Sequence, residues 1–109
     1  MKNLKKEIIG ISAPKSFLAR KFINKNKNIF KIKVYKENIN NKFKFSNWVN
    51  RNTNINYFIN FASYSKDDSK NKNIKTNFVS VINLLNIINK KRLNNFKYFL
   101  SLSSCHVFK

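Results

Sequence analysis

Two strand-like runs joined by one long helix-like run constrain this chain most. Asn56-Tyr57-Phe58-Ile59-Asn60-Phe61-Ala62-Ser63 is rich in aromatic and β-branched residues and reads as a strand. From Lys75 to Asn89, apolar residues recur at helical spacing, with Phe78, Val81, Ile82, Leu85 and Ile88 on one face. Phe96 to Leu102 reads as a second strand and delivers Ser103-Ser104-Cys105-His106 at its C-terminal end. Open α/β sheets bind ligands and do chemistry beyond the carboxyl ends of their strands. The sequence ends at Lys109, so the expectation is a protein cut off as its active site begins.

The first half continues the alternation. Glu7 to Ser12 reads as a short buried strand, and Ala13-Pro14-Lys15-Ser16 as a turn. Ser16 to about Asn24 reads as a helix whose apolar stripe is Phe17, Leu18, Phe22 and Ile23. Phe30 to Tyr35 alternates apolar and basic residues, the pattern of a half-exposed strand. Phe43 and Phe45 flank Lys44 at strand spacing, and Ser46 suits the N-cap of a helical turn. The stretch from Tyr35 to Phe43 is then too short for a helical crossover, so the mini-strand lies outside the parallel sheet or one crossover is lost. In the long helix, Val79, Leu84 and Ile87 widen the apolar surface beyond one stripe, which predicts cover on more than one side.

The 109 residues allow one small domain. Twenty-three basic residues against 4 acidic ones give a formal net charge of +19. Such a field attracts polyanions, and a small basic nucleic-acid-binding protein is the alternative function it supports. The lysines are scattered from Lys2 to Lys109, however, and Lys, Asn, Ile and Phe share A- and T-rich codons, so codon bias accounts for the excess as well. Cys105 is the single cysteine, which rules out an internal disulfide, and no metal cluster is spelled out. Cys105 and His106 are adjacent on a strand and point to opposite faces, which argues against a thiol–imidazole pair. No apolar run reaches membrane-span length and no signal peptide follows the basic start, so a cytoplasmic protein without a membrane partner is expected.

The ordered set Asn60-Phe61-Ala62-Ser63, then Asn77 ahead of the apolar helix, then Ser101-Leu102-Ser103-Ser104-Cys105-His106-Val107-Phe108 resembles the extended short-chain dehydrogenase/reductases. These are the NAD-dependent epimerase/dehydratase group that modifies nucleotide sugars. The resemblance spans Asn56 to Phe108, about half the chain. It implies an α/β fold: a partial Rossmann-type, doubly wound parallel sheet in three α/β/α layers, truncated after the fifth strand. Residues 1–109 would form a single incomplete NAD(P)-binding domain. A truncated gene, a fragment of a longer chain and a degenerate relative all fit that reading.

By the same resemblance, Ser104 takes the place of the family's catalytic Ser/Thr, which hydrogen-bonds the reacting sugar oxygen. Asn77 matches the Asn that helps position the active-site strands, and Phe61, Ala62 and Ser63 lie on the cofactor side, Ala62 and Ser63 by the nicotinamide ribose. The family's Gly-x-x-Gly-x-x-Gly corresponds to Ala13-Pro14-Lys15-Ser16-Phe17-Leu18-Ala19. Small residues Ala13, Ser16 and Ala19 stand at the glycine positions, and Phe17-Leu18 at the family's aromatic–aliphatic pair. Ala19 meets the helix-packing need, whereas a Cβ at Ala13 or Ser16 obstructs positive φ and close approach to the pyrophosphate. Glu37 is the candidate for the adenosine ribose hydroxyls, and Lys36 would favour a 2′-phosphate, so the cofactor is NAD or NADP, bound weakly. The family's Tyr-x-x-x-Lys pair has no counterpart: no tyrosine here is followed four residues later by lysine. General acid–base catalysis needs a positioned proton donor, so the chain alone is expected not to turn over. A nucleotide-sugar substrate would need a missing C-terminal part, and the intact family suggests a homodimer through the Lys75–Asn89 helix.

Overall fold

The computed structural model describes residues 6–62 and 79–102. Four strands, β1 (Ile8–Ser12), β2 (Lys31–Tyr35), β3 (Tyr57–Asn60) and β4 (Tyr98–Ser101), form one sheet in the order β2-β1-β3-β4. Every pairing is parallel. Helices α1 (Phe17–Asn26), α2 (Lys42–Arg51) and α3 (Ser80–Lys91) accompany them. The central strand β1 is buried along its whole length, as a parallel strand covered on both faces must be.

The register sorts the side chains onto two faces. On one, Ile9, Ile11 and Ile59 pack with Ala19 of α1, supported by Phe22 and Ile23. On the other, Ile8, Tyr35 and Phe58 pack with Phe45, Trp48 and Val49 of α2 and with Leu84 and Ile88 of α3. The result is the expected α/β/α layering. Gly10 makes the second face possible. A Cβ there would meet Trp48 Cη2 at 2.7 Å and Phe58 Cδ2 at 2.8 Å. The indole occupies that space, stacks on Phe45 at 5.9 Å between centroids, and donates from Nε1 to the Val34 carbonyl at 2.9 Å.

At the amino ends of the strands, Asn56 accepts from Ile8 N at 2.8 Å and donates to the Asn95 carbonyl at 3.0 Å. Beside it, Glu7 accepts from the Tyr57 hydroxyl at 2.8 Å and pairs with Lys97. The hydrogen bonds from Lys97 and then Tyr57 hold the Glu7 carboxyl below its ordinary range.

Three expectations are corrected. Residues 42–51 form one continuous helix, α2, in place of a Phe43–Phe45 mini-strand and a turn capped by Ser46. Asn41 is the N-cap, its side chain accepting from Lys44 N at 3.0 Å. Phe45, Trp48 and Val49 recur at helical spacing and are buried, while Phe43 is 75% exposed. α2 therefore supplies the crossover from β2 to β3, and the strand expected as the fifth is the fourth. In α3 the buried positions are Ser80, Leu84 and Ile88, and Ile82 and Leu85 lie on the outer side. A helix apolar on most sides has no unique stripe, so packing against α2 and the sheet selects the buried one. The Ser80 hydroxyl donates to Asn40 Oδ1, which ties the start of α3 to the β2–α2 connection. In α1, Phe17 and Leu18 are exposed, and Ala19, Phe22 and Ile23 carry the packing instead.

Candidate functional site

From β1 the chain moves to β2 on one side, then returns past β1 to β3 and β4 on the other. The carboxyl ends of β1 and β3 therefore flank the point where strand order reverses, which is where such sheets open a ligand crevice. After Ser12 the backbone turns sharply, with Ala13 at φ 50°, in the left-handed region. Ser16 N then donates to the Ala13 carbonyl at 3.1 Å, and the Ser16 hydroxyl caps α1 by accepting from Ala19 N at 3.3 Å. The first-turn N–H groups of Phe17 and Leu18 have no partner among the described residues. No acidic residue stands in that first turn, so the positive pole of α1 is uncompensated.

Beside it lies a cavity of about 480 Å³ lined by Ala13, Pro14, Lys15, Ser16, Val34 and Lys36. Two ammonium groups and no carboxylate line it. An open helix N-terminus with two lysines is suited to an anionic ligand, phosphate above all.

Next to this turn, a buried polar network locks the strand ends. The Ser12 hydroxyl donates to Asn60 Oδ1 at 2.5 Å and accepts from Phe61 N at 3.1 Å. Asn60 Oδ1 also accepts from Ala62 N at 3.2 Å, and its amide nitrogen donates to the Ser101 hydroxyl at 3.1 Å and the Ala62 carbonyl at 3.4 Å. Every donor and acceptor of the Asn60 amide is used, which is what makes a fully buried amide tolerable. The register explains the meeting: Asn60 lies opposite Ser101, and Ser12 follows Ile11, the partner of Ile59.

The residues singled out in the sequence fall as follows. Ala13 and Ser16 line the cavity. Phe17 and Leu18 open α1 with exposed side chains, and Ala19 is buried where α1 meets the sheet. Phe61 packs on Phe22 at 5.8 Å between ring centroids, and Ala62 is half-buried against the α2–α3 core. Glu37 does not line the cavity. It pairs with Lys44 at 3.3 Å beside a separate cleft of about 410 Å³, lined also by Tyr35, Asn47, Trp48 and Arg51. Its neighbour Lys36 borders both spaces. Ser63, Asn77 and Ser104 lie outside the described residues. Sequence reasoning missed Ser12, Asn60 and Ser101 as one unit. Each is a polar residue at the end of an apolar strand, but only the pairing register shows that they touch.

Tyr35 borders the separate cleft at the end of β2. Its hydroxyl donates to the Asn38 carbonyl at 3.0 Å. Burial first, and the Glu37 charge second, push it up to about 12, which suits an anchor and not a proton donor. Among the described residues no three His, Cys, Asp or Glu side chains gather into a metal seat, and no helix is long and apolar enough to cross a membrane.

No protein-family profile matches the chain, and no curated protein matches it in sequence. Solved structures do match in shape. The dTDP-4-dehydrorhamnose reductase of Bacillus anthracis, solved with NADP, superposes with a TM-score of 0.74 at 18% identity, over 89% of this chain and 36% of that one. A short-chain dehydrogenase of Burkholderia cenocepacia, also with NADP, gives 0.79 at 9% identity, over 92% and 54%. The UDP-glucose 4-epimerase of Bifidobacterium longum, with NAD+ and UDP, gives 0.68 at 16% identity, over 93% and 38%. The chain has a Rossmann-type fold. It spans roughly a third to a half of the length of these solved proteins. Dinucleotide-binding Rossmann sheets run 3-2-1-4-5-6, with a third strand outside the second. Here α2 leads from β2 straight to the strand beside β1, so the order lacks that outer strand among the described residues.

Proposed function

We propose that this chain is the dinucleotide-binding portion of an NAD(P)-dependent enzyme of the nucleotide-sugar epimerase/dehydratase type. The observation that carries the reading is the lysine-lined cavity at the open amino end of α1, located at the strand-order reversal. A pyrophosphate there would accept from the Phe17 and Leu18 N–H groups and face Lys15. Ala13 supplies the positive-φ turn that glycine usually supplies, so the missing first glycine does not prevent the turn. The Pro14 ring and the Ser16 side chain narrow the approach, which supports weak binding. Lys36 suits the 2′-phosphate of NADP, whereas Glu37 is engaged by Lys44 in the neighbouring cleft.

When bound, the dinucleotide would supply the hydride donor or acceptor. Ala62 and Ser63 would adjoin the nicotinamide ribose, Asn77 would position the strands, and Ser104 would hydrogen-bond the sugar. These four roles rest on the sequence resemblance. With no Tyr-x-x-x-Lys pair in the 109 residues, this reading is one of cofactor binding without turnover, and a nucleotide sugar would be taken only with further residues. The outer side of α3, with Val79, Ile82 and Leu85 exposed, suits a second copy of the chain. A cytoplasmic setting belongs to the same proposal.

Lys36→Glu tests the cofactor assignment. Loss of one charge-assisted contact to the 2′-phosphate should weaken NADP about tenfold or more while leaving NAD within about twofold. Equal effects on both dinucleotides, or none, would count against Lys36 as the 2′-phosphate partner.

A further inference from the structure

We propose that the outer edge of β2 is a docking site for an acidic extended peptide, which would add to the sheet as a strand where other Rossmann sheets carry their own third strand. The backbone points to it first. Lys31 N donates to the Glu7 carbonyl at 2.9 Å, so Lys31 faces β1. Parallel strands alternate the direction of their backbone groups, so Lys33 and Tyr35 also face β1 while Ile32 and Val34 face outward. The outward Val34 carbonyl is taken by Trp48 Nε1 at 2.9 Å, which confirms the alternation. The N–H and C=O of Ile32 and the N–H of Val34 have no partner among the described residues.

Charge selects the occupant. Lys31 and Lys33 lie on the strand itself, and Lys36, Lys44 and Arg51 border the cleft of about 410 Å³ alongside it. The one carboxylate there, Glu37, is already paired with Lys44. A second copy of β2 would bring lysines against lysines, and like charges across a strand pair are destabilising. Lysine on an edge strand is a common guard against self-pairing. An incoming strand with alternating Glu or Asp turns the same lysines into partners, the backbone supplying affinity and the charges selectivity.

The test is amide hydrogen exchange by NMR on the full chain, free and with an alternating Glu-Val octapeptide, with polyglutamate and a single-stranded oligonucleotide as plain polyanions. The expected result is fast exchange at Ile32 and Val34 in the free chain and at least about tenfold slowing with the octapeptide only. Octapeptide binding should weaken about tenfold or more with Ile32→Pro, which removes an outward N–H, and also when alternate peptide amides are N-methylated, which leaves the chain unaltered. Slow exchange in the free chain would show the edge already covered and overturn the proposal. So would equal binding of all three polyanions without protection of these amides, or octapeptide binding indifferent to N-methylation.

Discussion

Gly10 is where one residue governs the packing of a whole face. Its missing Cβ leaves room for the Trp48 indole and the Phe58 ring, neither of which can withdraw without losing its stacking partners. Gly10→Ala should therefore destabilise the fold by about 1–3 kcal/mol, the usual cost of overpacking, and denaturant unfolding followed by Trp48 fluorescence would measure it. Glu7 makes a different kind of prediction. Lys97 and Tyr57 depress its folded-state pKa, so its contribution is present above the unfolded value and is lost as pH falls through the folded one. Thermal stability should drop as the pH is taken below about 4, and Glu7→Gln should flatten that part of the profile. A profile with the same acid limb in the variant would show that other carboxylates carry it. At this scale the sequence was only partly legible. Small residues at positions 13, 16 and 19 marked the turn and the close helix approach, and Ala13 and Ser16 do line the cavity. The Ser12–Asn60–Ser101 network was not legible, because three polar strand ends 40 or more residues apart meet only through register.

Among the elements, α2 is the one the local pattern misrepresents. Phe43-Lys44-Phe45 alternates like a strand over three residues, and the helical stripe becomes visible only when Trp48 and Val49 are read with Phe45. The cap distinguishes the two readings energetically. Asn41→Ala should cost about 1 kcal/mol, while Ser46→Ala, inside the helix, should cost at most a few tenths. Equilibrium unfolding of the two variants checks this, and the reverse ranking would favour a helix beginning at Ser46. α3 carries the opposite lesson. Its helical character was plain from the spacing of its apolar residues, but which side is buried was not, since Ile82 and Leu85 satisfy the period as well as Leu84 and Ile88 do. The parallel alternation of strands and helices came through because burial on both faces leaves nearly continuous apolar runs in β1 and β3.

For the molecule as a whole, two properties compete to explain any anion binding. One is the +19 charge, which attracts every polyanion and fades with salt. The other is a built site, with a positive-φ turn, a helix pole whose Phe17 and Leu18 N–H groups have no partner among the described residues, and Lys15 and Lys36 converging on one cavity. Fold class was legible from the order of elements, and the shape likeness to NADP- and NAD-bound structures agrees with it. That no strand lies outside β2 among the described residues was not legible, because Phe43 and Phe45 read as a mini-strand too close to Tyr35 for a helical crossover, and not as part of α2. Calorimetric titration of the chain with NADP and NAD at low and at physiological salt tests the central claim most directly. The account predicts saturable one-to-one binding, tighter for NADP, that survives physiological salt. Binding that vanishes with salt, or that inorganic polyphosphate matches at equal charge, would mean that the charge alone acts and that the α1 turn holds no dinucleotide.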